Sequence, residues 1–262
     1  HVLDTWQAPN GVEVFNVVGT GLKTPKSIEY REFIRDYCGS PMCVVTKLEP
    51  VVKFTQRGDE TVVTESAKSV NYSTQLFFDI GETNDTKHAN ITESETIKLL
   101  VDRIIHGSST NDISNVTSTE PSYEEDLTLI DRIHSPARIY IEDAQGRRTG
   151  RDSAGNEWKE EIPGTSYYEI GGVKYILKSG NLNHKVVIEG EGSGVFTHGV
   201  DELMDEEQTT LHTLIATVTP TTRVTYEYTN GTTGPVSIDQ NGDGVADYHV
   251  TLDGTLIETK AT

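Results

Sequence analysis

Apolar positions follow one rhythm up to about residue 90 and another just after it. Val12 to Val18 (VEVFNVV) is apolar and β-branched with little interruption and is then stopped by Gly19, Thr20 and Gly21, the pattern of a buried parallel strand. Cys43 to Phe54 holds a second β-rich run, broken by Pro50, and Leu76, Phe77, Phe78 and Ile80 form a third. From Ile91 the period lengthens. Thr92 and Glu95 have capping-box spacing, and Ile97, Leu100, Val101, Ile104 and Ile105 recur at helical intervals before Gly107, which predicts a helix with one buried face. Strand followed by amphipathic helix is the unit of an α/β sheet, so residues 1–108 are predicted to be α/β.

Ser108 to Glu125 is rich in Ser, Thr, Asn, Pro and acidic residues and has almost no periodic apolar pattern. Residues 109–131 therefore read as a linker. Beyond it, apolar runs are short and punctuated by glycine: Ala137 to Ile141, Tyr167 to Ile170, Val173 to Leu177, Lys185 to Ile188, Leu211 to Val218 and Arg223 to Tyr228. Strands of this length and spacing predict an antiparallel β-sandwich over residues 132–262. Acidic Asp201 to Gln208 reads as a loop or a single helical turn. The predicted fold is thus α/β followed by all-β, and a length of 262 residues suits two domains.

A formal net charge of −19 argues against nucleic acid or an anionic membrane surface as partner, since either would repel the chain. No run approaches the roughly 20 apolar residues of a spanning helix. His1 to Gln7 lacks the basic and apolar regions of a signal peptide, and the chain does not begin with Met, so it reads as a processed product or a piece of a longer chain. Cys38 and Cys43 flank a turn-forming stretch, which leaves a local disulfide open. Their spacing and the lack of a nearby His pair argue against zinc, and no organic cofactor is expected.

Candidate chemistry begins at Gly58-Asp59-Glu60-Thr61. A Gly-Asp pair after a strand is usually a turn. Here a further strand leads to a loop containing His88 and then to the capped helix, which places a carboxylate and a histidine on successive loops at the carboxyl edge of a sheet. A buried Asp in that position accepts from one ring nitrogen, fixes the tautomer and stabilises the imidazolium. Glu60 is a competing carboxylate beside Asp59, and the bland reading of His88 is a solvated loop histidine.

These segments resemble the lecithin:cholesterol acyltransferase-like hydrolases. Residues 8–30 are similar to that family's strand and Gly-x-Gly-x-x-Thr-Pro segment, residues 58–66 (GDETVVTES) to its Gly-Asp-x-Thr-Val segment, and His88-Ala89-Asn90-Ile91 to the histidine ahead of its last helix. The resemblance covers about residues 8 to 107. It implies the carboxyl-terminal part of an α/β-hydrolase sheet, with Asp59 as triad acid and His88 as triad base. It also implies an upstream serine in a Gly-x-Ser-x-Gly elbow preceding His1, because the chain order is Ser, acid, His. No such motif occurs in the sequence. The implied activity is cleavage or transfer of a lipid or related acyl ester, with the chain inactive by itself.

In the second half, Asp239, Asn241, Asp243 and Asp247, with Gly244 after the third, spell Asp-x-Asn-x-Asp-Gly-x-x-Asp. Alternating oxygen ligands with a permissive glycine suit calcium. The twelfth-position Glu of an EF-hand is absent, with Val250 in its place, so the rival reading is an acidic β-turn. Residues 136–168 resemble a β-sandwich module appended to some secreted or surface bacterial proteins, which implies a secreted or cell-surface setting. Arg147 and Arg148 suit an anion but are ordinarily just solvated, and the strand tyrosines suit either carbohydrate stacking or cross-strand packing. The alternative to an enzyme is a surface protein whose β domain binds glycan, cell wall or protein, or merely spaces the first half from a surface.

Overall fold

The computed structural model describes residues 8–37, 44–68, 73–83, 86–123, 127–134, 136–152, 157–204, 207–252 and 254–259. Cys38 and Cys43 lie outside them. In chain order the strands are β1 (Phe15–Thr20), β2 (Thr24–Tyr37), β3 (Val44–Thr55), β4 (Thr74–Asp79), β5 (Val116–Thr117), β6 (Thr128–His134), β7 (Ala137–Glu142), β8 (Arg148–Gly150), β9 (Lys159–Glu160) and β10 (Ser166–Ile170). They continue as β11 (Val173–Ser179), β12 (His184–Gly190), β13 (Gly194–Met204), β14 (Glu207–Val218), β15 (Arg223–Thr229), β16 (Thr232–Thr233), β17 (Val236–Asp239), β18 (Tyr248–Val250) and β19 (Leu256–Thr259). The helices are α1 (Thr64–Ala67) and α2 (Glu95–Ile105), with a 3₁₀ helix over His88–Glu93. The chain divides into two compact units, His1–Ser27 with Lys53–Glu124, and Ile28–Val52 with Glu125–Thr262.

In the first unit β1 pairs in parallel with β4, from Phe15 opposite Thr74 to Thr20 opposite Asp79, and β5 adds antiparallel to β4. Leu76, Phe78 and Ile80 alternate onto one face and form a core with Leu100, Ile113 and Val116. The helix contributes Leu100, flanked by half-buried Ile97 and Ile104, whereas Val101 and Ile105 are exposed. Its N-cap is Ser94, whose hydroxyl accepts from the Ile97 amide at 3.2 Å. Thr92 does not cap the helix because residues 88–93 are themselves wound into the 3₁₀ turn.

The second unit consists of two antiparallel sheets, ordered β10-β11-β6-β13-β14 and β19-β18-β17-β15-β12-β7-β8-β9. One core draws on both: Ile133, Ile176, Phe196, Val200 and Leu214 from the first, and Ile139, Ile141, Val186, Ile188, Val224 and Tyr226 from the second. The greater part of the β2–β3 pair, residues 28–52, groups with this unit. Tyr175 of β11 holds it by accepting from the Val52 amide at 3.0 Å and donating to the Pro50 carbonyl at 3.2 Å.

The expected carboxyl-terminal portion of an α/β-hydrolase is not what forms. Strand makes up 52% of the described residues and helix only 10%, and the sheets are predominantly antiparallel. The physical reason lies in the stretches between the apolar runs. Residues 24–37 form one long strand rather than a crossover, and the predicted linker supplies β5 and the start of β6. Acidic Asp201 to Met204 belongs to β13, with β14 beginning at Glu207. Among the described residues, no helix is long and apolar enough to cross a membrane.

Candidate functional site

Asp59 and His88 meet beyond the carboxyl ends of the two parallel strands. Leu22, just after β1, makes an isolated parallel bridge with Asp59, and its amide donates to the Gly58 carbonyl at 2.8 Å. Gly19 permits this packing. A Cβ there would fall 2.8 Å from Ile80 Cδ1, 2.9 Å from Ile91 Cδ1 and 3.0 Å from Asp59 Cβ, closer than carbon atoms pack.

The Asp59 side chain is fixed from two sides. Oδ1 accepts from the amides of Val62 at 2.6 Å and Thr61 at 3.1 Å, and Oδ2 lies 2.6 Å from His88 Nδ1. The His88 amide also donates to the Asp59 carbonyl at 3.1 Å. A carboxylate can only accept, so Nδ1 carries a proton, and in the neutral ring Nε2 is the nitrogen that keeps a lone pair. Asp59 is buried at 9% side-chain exposure while His88 is 42% exposed, so the pair has an anchored end and an open end. Glu60, the competing carboxylate, points elsewhere. Its Oε1 pairs with Lys87 Nζ at 2.9 Å and its amide donates to Thr24 Oγ1 at 2.9 Å. Its φ of +83° is left-handed backbone that a non-glycine residue seldom adopts. The Lys87–Glu60 pair thus ties the histidine loop to the aspartate loop.

The acidic loop of the second unit is arranged as a turn. Asp239 accepts from the Gly242 amide at 2.7 Å and from the Gly244 amide at 2.9 Å, one on each oxygen. Asn241 Oδ1 accepts from the Asp243 amide at 2.8 Å, Asp243 Oδ1 from the Val245 amide at 2.8 Å, and Asp247 Oδ2 from the Gln240 amide at 2.9 Å. Among the described residues, no three His, Cys, Asp or Glu side chains converge as metal ligands. Arg147 is held by Asp143, and Arg148 by Glu142 and Asp152, so neither is poised for an anion. Of the strand tyrosines, Tyr167, Tyr226 and Tyr228 are buried rather than displayed.

Three buried polar clusters in the second unit have no counterpart in the sequence reading. Glu49 Oε2 lies 2.5 Å from His134 Nδ1. Arg132 pairs with Asp201 through Nε at 3.0 Å, and Gln208 Nε2 donates to the same carboxylate at 2.9 Å. Between the sheets, Asp131 contacts Lys178 Nζ through Oδ2, and its Oδ1 takes His198 Nε2 at 3.0 Å and the Tyr226 hydroxyl at 2.9 Å. The available signal was charge at strict alternation within apolar strands, as Lys174 and Lys178 flank Ile176 in VKYILKS. An open cleft of about 330 Å³ is lined by Arg31, Arg132, Thr197, Thr210, Thr213 and Ile215 among others, at the small end for a ligand pocket.

No known protein family, curated protein or solved structure matches the chain. Together with the strand-dominated fold, this overturns the resemblance to the lecithin:cholesterol acyltransferase-like hydrolases, and no matching family stands behind the resemblance to an appended bacterial module. The matches at residues 8–30, 58–66 and 88–91 are local likenesses without a shared family behind them.

Proposed function

We propose that Asp59 and His88 are the acid and base of a serine-dependent site for hydrolysis or transfer of a lipid or related acyl ester, with the serine hydroxyl supplied from outside this chain. The supporting observation is the 2.6 Å contact between Oδ2 of the buried Asp59 and Nδ1 of His88, whose side chain is 42% exposed. Nε2 is then free to take the proton of an attacking hydroxyl and return it to the leaving alcohol. Asp59 holds the tautomer and stabilises the imidazolium. Two backbone amides on Asp59 Oδ1 keep the carboxylate from rotating away.

The test has two arms. In this chain, the His88 Nδ1 proton is expected as a far-downfield proton resonance that vanishes in Asp59→Asn. In a preparation containing the nucleophile, whether a longer chain or a complex, Asp59→Asn and His88→Ala are each expected to lower kcat on a p-nitrophenyl ester by about 10⁴-fold. Ester turnover unchanged by both substitutions would remove the pair from the mechanism.

A further inference from the structure

We propose that Lys178 and Asp131 condense into an intramolecular amide, Nζ to Cγ, which covalently joins β11 to β6 inside the second unit. Both come from neighbouring antiparallel strands. Ile176 stands directly opposite Asp131, so Lys178 lies two residues further along the same face, within diagonal reach of a long side chain. Their side chains are 2% and 0% exposed, and Lys178 Nζ contacts Asp131 Oδ2. Ile133, Ile176 and Val200, on the same faces, are core residues, so the pair sits in a dry site. A buried ion pair there bears a desolvation penalty that its attraction often fails to offset, and a neutral amide abolishes both charges.

Asp131 is also activated as an acyl group. Its Oδ1 receives two donors, Tyr226 Oη–H at 2.9 Å and His198 Nε2–H at 3.0 Å. These point at the oxygen that gains negative charge when an amine adds to Cγ, the geometry of an oxyanion hole. The Nδ1 of His198 has no hydrogen-bond partner, consistent with a neutral imidazole whose single proton is the one donated to Asp131. The amine is prepared as well, because burial pushes Lys178 down to about 7, so a neutral nucleophile is available near neutral pH.

The step balances without a co-reactant. One ammonium proton passes from Nζ to Oδ2, and the nitrogen lone pair adds to Cγ. The Cγ–Oδ2 bond then breaks, and Oδ2 leaves as water with a second proton from Nζ. An ammonium and a carboxylate become an amide and one water, and Oδ1 keeps both donors as the amide carbonyl.

The experiment is intact-mass measurement of the full chain under denaturing conditions, followed by proteolytic mapping. The expected mass is one water below that of the sequence, with a branched peptide joining the segments that contain Asp131 and Lys178. Lys178→Arg is expected at its full sequence mass. Asp131→Asn is expected to converge on the cross-linked wild-type mass, since ammonia then leaves in place of water. Tyr226→Phe is expected to give a mixture that converts slowly. Full sequence mass for the wild type with both peptides recovered linear would overturn the proposal, as would an equal water loss in Lys178→Arg.

Discussion

At the scale of single residues, what a side chain opposes across a strand matters more than its own character. Gly199 stands directly opposite Arg132 in the β6–β13 ladder, and the guanidinium lies across it. A Cβ at Gly199 would fall 2.4 Å from Arg132 Cζ and 2.6 Å from Nη2. Gly199→Ala is therefore expected to push Arg132 off Asp201, whose side chain is 1% exposed. Breaking a buried pair of this kind costs about 3 kcal/mol or more. Urea denaturation checks it, and a midpoint matching the wild type would show that the guanidinium has room to move. The sequence carries no trace of this contact, because it depends on a register between residues 67 positions apart along the chain. The meeting of Asp59 with His88 was legible because each lies on a short loop at the end of a recognisable strand. Whether oxygens of Asp239 to Asp247 face an ion or the loop's own amides was not, since one spacing serves both.

Among the elements, the strongly patterned ones were legible and the two-faced ones were not. The runs at Ala137, Val173, Lys185, Leu211 and Arg223 fall in strands, as do Phe15–Val18 of the run at Val12 and Leu76–Phe78 of the next, because one apolar face or a fully apolar run survives in the sequence. The start of β6, Thr128–Asp131, falls in the predicted linker, because TLIDRIH mixes Asp, Arg and His among its apolar residues. All seven positions are nonetheless buried, since the polar ones find partners on β11, β13, β14, β15 and β3. β3 runs through Pro50, which lacks an amide to offer but whose carbonyl accepts from Tyr175. Tyr175→Phe leaves the volume almost unchanged and removes both links to β3. The expected loss is about 1–2 kcal/mol, because the Val52 amide is left without its acceptor in a buried site. Faster hydrogen exchange at the Val52 amide would accompany it, and unchanged exchange there would show that Tyr175 does not hold the strand.

For the molecule as a whole, the buried histidines set how stability depends on pH. Burial is the first cause that lowers both His198 and His184, each to about 3, against about 6.5 in an unfolded chain. Between those values the unfolded state binds more protons, so stability rises with pH through that window and is lost as pH falls through it. Denaturation midpoints are expected to decline already between about pH 6.5 and 5, above the range where carboxylates such as Glu191, which burial raises but Lys174 and its neighbours bring down on balance, begin to protonate. A flat profile down to pH 5 would mean that the histidines are not held neutral. The alkaline side separates the two states of the Asp131–Lys178 pair. A free Lys178 amine lowered to about 7 by burial, against about 10.4 unfolded, makes stability climb with pH between those values by the same sign rule. An amide nitrogen does not titrate, so a cross-linked chain is expected to lack that climb, while Lys178→Arg, with a guanidinium charged throughout, lacks it as well. The acid limb of the His198 and His184 profile persists in either state, because desolvation by the surrounding core is its main source.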